Sequence, residues 1–118
     1  MISVRRGTTK EFVIALTDES GNEYKIDAAD RILFGVKQSA NAKDYVIAIS
    51  VGNDAYMDTQ SGYLITLLPE HTEKLPFGEY VYDAGLLKES GEFYPVCPCD
   101  TFEVATMVTE RGMQNADN

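Results

Sequence analysis

Tryptophan is absent from this chain of 118 residues, histidine occurs once, cysteine twice and proline four times. Each scarcity excludes something. One histidine and two cysteines fall short of four zinc ligands within a single chain, and two cysteines cannot make a disulfide framework. Without tryptophan, the largest aromatic platform for stacking on a sugar is missing. No run approaches the eighteen or so apolar residues of a spanning helix, and the opening MISVRRGTTKEF lacks the apolar stretch of a secretory signal. Basic residues are also scarce: ten Lys and Arg stand against nineteen Asp and Glu, for a formal charge of −9. That balance repels phosphate backbones and anionic lipid surfaces, so neither nucleic acid nor a membrane is expected as a partner.

The remaining motifs with chemical potential are few. Cys97-Pro98-Cys99 places two thiols at i and i+2, where a strand would point both the same way, and a disulfide across one residue would be strained. Two free thiols on a half-buried strand are the expectation. Asp18-Glu19-Ser20-Gly21-Asn22 looks like the start of a calcium loop, but the position that should carry the twelfth-residue carboxylate is Ala29. A hairpin turn accounts for the same residues. His71 sits in a charged segment, expected to be solvated, with no Ser or Cys beside it to make a nucleophilic pair. No glycine-rich phosphate loop occurs. No catalytic residue, cofactor or metal ligand is assigned, and no enzymatic activity is expected.

What the chain does have is alternation. Phe12, Ile14 and Leu16 share one face of KEFVIALT, and Ile32, Phe34 and Val36 one face of RILFGVKQ. YVIAISV aligns Tyr45, Ile47, Ile49 and Val51, while YLITLLP aligns Tyr63, Ile65 and Leu67. Tyr24 to Ile26 reads as a short returning strand after the Gly21-Asn22 turn. EYVYDAGLL, FYPVCPCD and TFEVATMV complete the set, and PEHTEKL suits a single helical turn opened by Pro69. Short strands separated by turn signals point to an all-β fold, an antiparallel sandwich or small barrel of seven to eight strands. Phe12, Ile14, Ile32, Phe34, Ile47, Ile49, Tyr80 and Phe102 form its expected core. One domain spans residues 1–109, and the polar segment 110–118 is expected to fray.

LPFGEYVYDAGLL carries a more specific signal. In immunoglobulin-like sandwiches a tyrosine near the start of the penultimate strand bonds back to the backbone a few residues upstream. Tyr80 is placed for that role, with Gly78 allowing a sharp turn and Leu75 plugging the end of the sandwich. The alternative is a plain strand with tyrosines on one face.

The same region carries a resemblance. Thr8 to Leu16, Asp18 to Asn22, Leu64 to Thr72 and Gly78 to Asp83 resemble, in order, four motifs of one family. These are its early Thr-rich strand, D-x-x-G-N-like hairpin, Pro-Glu-x-Thr strand end and Gly-x-Tyr-x-Tyr-Asp strand. The family is the N-terminal domain of phage baseplate upper proteins and related prophage sandwich modules. The resemblance covers roughly residues 2–109 and implies an immunoglobulin-like fold, a structural role and a tail or baseplate partner. The implied location is the bacterial cytoplasm during assembly and the virion afterwards.

The outward faces of the strands fit that role. Val13, Ala15, Leu33, Val46, Ala48 and Val81 lie opposite the core positions, where a solvated sheet usually carries more Lys, Glu and Thr. They form a candidate interface for a second copy of the chain or a tail protein, unless loops or the tail cover them. A rival reading is a carbohydrate-binding module stacking sugars on Tyr45, Tyr56, Tyr63 and Tyr94.

Overall fold

The computed structural model describes residues 1–109. Eight strands run in chain order as β1 (Ile2–Arg5), β2 (Lys10–Ile14), β3 (Arg31–Lys37), β4 (Ile47–Val51), β5 (Tyr56–Met57), β6 (Gly62–Leu67), β7 (Gly78–Leu87) and β8 (Phe93–Ala105). A 3₁₀ turn covers Asn53–Ala55, and one helical turn, α1 (Pro69–Thr72), follows β6. The strands form two sheets, a five-stranded one ordered β1-β8-β7-β3-β4 and a three-stranded one ordered β2-β6-β5. The two packed sheets make a β-sandwich, in which β2, β6 and β5 face the other five strands.

Alternation sets what each sheet buries. Ile32, Phe34 and Val36 of β3 are fully buried between the sheets, as are Ile65 and Leu67 of β6 and Phe102 and Val104 of β8. Ile14, Ile47 and Tyr80 join them, while Phe12 and Ile49 are only half-buried, packed against the cluster from its margin. Phe12 meets Phe34 edge-on with ring centroids 5.2 Å apart, a preferred aromatic geometry.

Four elements depart from the sequence reading. β5 falls in GNDAYMDTQSG, expected as a loop, where Tyr56 pairs with Tyr63. β1 was not expected; it pairs in parallel with β8, Ile2 against Phe102 through Arg5 against Ala105. The segment from Tyr24 to Ile26 is no strand. It is held by one bridge, Thr17 to Glu23, and by the Tyr24 N–H donating to the Leu16 carbonyl at 2.9 Å. FYPVCPCD and TFEVATMV are one continuous strand, β8, not two. Its register with β7 shifts between Tyr82 and Ala84 and again between Ala84 and Gly85. The shifts fall opposite Pro95-Val96-Cys97-Pro98-Cys99, where bulges accommodate prolines that have no N–H to give. β1 covers β8 only from Phe102 onward, so both prolines lie where β8 is itself an edge.

The segment 110–118, expected to fray, lies outside the described residues.

Candidate functional site

The outer surface of the five-stranded sheet carries a trough of about 430 Å³. Its floor is built from the positions that alternate with the core: Leu33 and Gly35 of β3, Ala48 and Ser50 of β4, Asp83 and Gly85 of β7. Two aromatic rings lie on this floor. A Cβ at Gly35 would sit 2.6 Å from Cε1 of Tyr45, and one at Gly85 only 2.3 Å from Cζ of Phe93. Each ring therefore rests on bare backbone, the close approach that a glycine inside a strand permits. Both rings are well exposed, Tyr45 and Phe93 at 59% each.

Charge is arranged around the rim. The Lys37 ammonium lies 4.7 Å above the Tyr45 ring centroid. At the other end of β3, the Arg31 Nε donates to Ser50 Oγ at 2.9 Å and its Nη2 to the Ser50 carbonyl at 3.0 Å. Asp83 adds a carboxylate to the floor. The trough is thus an apolar, aromatic-walled surface with a few polar groups at its margin, suited to holding a side chain or a flat ring.

The six residues expected to form one interface do not lie together. Leu33 and Ala48 line the trough. Val81 of β7 lines a neighbouring hollow with Lys37, Tyr45 and Cys99. Val46 is half-buried against the core, its N–H donating to the Val36 carbonyl at 2.8 Å. Val13 belongs to the other sheet, pairing with Leu64, and Ala15 lines a separate hollow with Tyr24, Lys88 and Tyr94. Strand alternation gives the face of each residue but not the sheet, so Val13 of β2 was grouped with Leu33 of β3, Ala48 of β4 and Val81 of β7.

Two of the tyrosines read as sugar platforms are otherwise engaged. Tyr63 is 1% exposed and its hydroxyl accepts the Ile26 N–H at 2.8 Å. Tyr56 packs edge-on against Tyr63 and donates to the Glu23 carboxylate. That bond holds the Tyr56 phenol protonated and pushes its pKa up to about 12. Tyr45 and Tyr94 remain exposed.

At one end of the sandwich, Tyr80 Oη donates to the Pro76 carbonyl at 2.7 Å. Burial pushes the phenol pKa up, which keeps the donor protonated. Gly78, at φ +144°, opens β7 in a conformation that other residues rarely adopt. Leu75 packs against the core. Beside it, buried Thr72 accepts the Gly7 N–H at 2.8 Å and the Arg6 guanidinium lies 4.1 Å from the Phe77 ring centroid. His71 is not simply solvated: its Nδ1 accepts the Leu68 N–H at 2.8 Å, capping α1.

A buried charge went unread in the sequence. Asp30 is 1% exposed. Its carboxylate accepts the Lys88 ammonium at 2.9 Å and the Asp27 and Glu89 N–H groups at 3.0 Å each. Lys88 also donates to Tyr24 Oη at 2.7 Å. The Lys88 bond, with the backbone donors, holds the Asp30 carboxyl below its ordinary range, and Tyr24 and Asp30 raise the Lys88 pKa. With both Asp30 oxygens occupied and Asp27 Oδ2 3.8 Å from the Lys88 ammonium, this cluster ties the loop before β3 to the β7–β8 turn.

The Asp18 loop is a side-chain-closed turn: Oδ1 accepts the Ser20 and Asn22 N–H groups, both at 2.9 Å, and Gly21 takes φ +83°. Cys97 is half-buried and Cys99 exposed, and they line adjoining hollows that share Gly35, Tyr45 and Asp83. Among the described residues, no group of three or more His, Cys, Asp or Glu is placed to hold a metal ion, and no helix is long and apolar enough to cross a membrane.

Neither a protein-family model nor a curated protein sequence matches this chain. The trough walls were half legible beforehand. Tyr45 was noticed as an exposed ring, whereas Phe93 was not, although glycines inside RILFGVKQ and EYVYDAGLL signalled a close approach from above.

Proposed function

We propose that this chain is a non-enzymatic assembly module of a phage or prophage tail or baseplate, docking a neighbouring virion protein on the outer face of its five-stranded sheet. The observation that carries the reading is the trough itself. Leu33, Gly35, Ala48 and Gly85 leave the sheet surface flat, with Asp83 its one carboxylate, and Tyr45 and Phe93 lie over it half out in solvent. Exposed aromatics around an apolar floor are the composition of protein-binding patches. The motifs at Thr8–Leu16, Asp18–Asn22, Leu64–Thr72 and Gly78–Asp83 supply the baseplate part of the reading by resemblance alone. The bacterial cytoplasm and then the virion follow as the proposed locations.

Mass spectrometry of purified particles tests it. The chain is expected at fixed stoichiometry with a tail or baseplate protein, and a photo-cross-linker placed at Ala48 is expected to join the two. Infectious particles that lack the chain would overturn the reading. Binding to a glycan array that disappears in Tyr45→Ala would replace it with sugar binding.

A further inference from the structure

The edges of the two sheets are protected unequally. A free strand edge offers unpaired N–H and C=O groups to any other strand, and proteins usually blunt such edges with charge, proline, bulges or brevity. β5 has two residues. β2 carries Lys10 and Glu11. β1 has four residues, one of them Arg5, and the uncovered half of β8 holds Pro95, Pro98 and two register shifts. The residues of β4 supply none of these devices; its edge is guarded only by the Arg31 side chain, whose Nη2 donates to the Ser50 carbonyl at 3.0 Å. Its sequence Ile47-Ala48-Ile49-Ser50-Val51 contains no charge, no proline and no glycine. It is the outermost strand of its sheet, paired only with β3, in an uninterrupted register.

The pattern of β4 also fits a second copy of itself. Laid antiparallel on a copy of itself about Ile49, it puts Ile49 opposite Ile49, Ile47 opposite Val51 and Ala48 opposite Ser50. Ile47, Ile49 and Val51 face the core cluster, so core-facing residues meet core-facing residues across the junction and small outer residues meet small ones. Cross-strand pairs that match in size and face are the unit of sheet stabilisation. An uncharged strand is also where two molecules of charge −9 approach with least repulsion. We infer that two copies of this chain join through their β4 edges about a two-fold axis, forming one continuous ten-stranded sheet. A two-fold interface of this kind is self-complementary and closed, so assembly stops at two. Ala48 and Ser50 line the trough, and the junction therefore sets two troughs side by side on one surface. The inference deepens the assembly reading and takes its purpose from it, but its geometry is tested separately.

The register supplies a discriminating experiment. Sedimentation of the wild-type chain is expected to show twice the single-chain mass as concentration rises. Ala48→Lys with Ser50→Lys places like charges directly opposite across the two-fold and is expected to leave a monomer. Ala48→Lys with Ser50→Glu places opposite charges there and is expected to restore the dimer. Both positions are exposed, and melting curves check that each variant folds. Hydrogen exchange on the wild type is a second measurement, with the β4 amides expected to slow as concentration rises. A wild-type chain that stays monomeric, or a double-lysine variant that folds and still dimerises, would overturn the inference. So would loss of the dimer in Leu33→Lys, which leaves the edge intact and would point to face-to-face packing. A monomer found in virions sinks the edge pairing alone; a dimer absent from virions sinks the assembly reading alone.

Discussion

Tyr80 and Pro76 are joined by a 2.7 Å hydrogen bond that spans four residues of chain, from the phenol of the one to the carbonyl of the other. The bond closes the loop between α1 and β7 over Leu75. Removing the hydroxyl leaves a carbonyl short of its donor inside a partly buried corner. Tyr80→Phe is expected to cost about 1–1.5 kcal/mol. Tyr82 packs its ring against Phe34 and Phe102 at 5.6 and 6.5 Å between centroids, contacts that phenylalanine keeps. Tyr82→Phe is expected to be nearly neutral. Urea melts of the two variants decide, and equal losses would remove the corner from the account.

Stability should fall at acid pH in a way that Asp30 dominates. Its folded-state pKa is depressed, so its contribution is fully present above the ordinary carboxylate range and is lost as pH falls through the depressed value. Glu92 and Asp100 are depressed too, but they are exposed. The melting temperature of the wild type is expected to drop below about pH 4. In Asp30→Asn it should start lower at neutral pH and fall less steeply. Parallel acid limbs in the two proteins would contradict this.

The alkaline limb has the opposite sign. Lys88 and Tyr56 both have raised pKa values, so what they contribute is complete below their unfolded values and lost as pH rises through the folded ones. For Tyr56 that loss runs from the ordinary tyrosine value of 10.0 up to about 12. Tyr56→Phe is expected to remove the part of the alkaline melt that follows phenolate absorbance over that range. An unchanged ultraviolet titration in the variant would show that another tyrosine is responsible.

Two glycines should respond differently to alanine. At Gly85 the obstacle is the tip of an exposed ring, Phe93, which can swing away. At Gly62 it is the Ile14 carbonyl at 2.8 Å together with a Val13 methyl at 2.4 Å, and backbone cannot give way. Gly62→Ala is expected to cost about 1–3 kcal/mol, and Gly85→Ala clearly less while exposing Phe93 further. Thermal melts of the pair test the ranking.

The thiols should separate in rate. Burial pushes the Cys97 pKa up, with Asp83 adding to it, and Cys99 is exposed. Cys99 is expected to react first with a maleimide at mildly alkaline pH, because the thiolate is the nucleophile. Peptide mapping reads the order, and faster labelling of Cys97 would contradict it.

Much of the sandwich was legible because its strands alternate strongly: Ile32-Phe34-Val36 and Ile65-Leu67 declare a buried face from sequence alone. Tyr80 was legible because its signal is local, a glycine and a proline within four residues. Features that depend on distant partners were not. Asp30 sits in a turn-like stretch, and nothing near it announces Lys88, 58 residues on. Ile2 and Val4 were not read as a strand, because the partner that makes them one, β8, lies a hundred residues on. Tyr63 alternates correctly, but only the position of Ile26 shows that its hydroxyl is sealed inside. For the trough, the missing knowledge was which strands share a sheet, and periodicity within a strand carries none of it.

The parallel pairing of β1 with β8 has a mechanical consequence. Ile2 opens one strand and Ala105 closes the other, and because the strands run the same way these points lie at opposite ends of their ladder. A pull on the two points acts along the strands and in opposing directions. It loads the hydrogen bonds of the ladder together instead of opening them one after another from an end, as tension does on a hairpin. Survival under load is then governed by how fast the whole ladder ruptures. The β1–β8 ladder is a clasp in shear, the strand geometry that best withstands a domain being stretched between two neighbours.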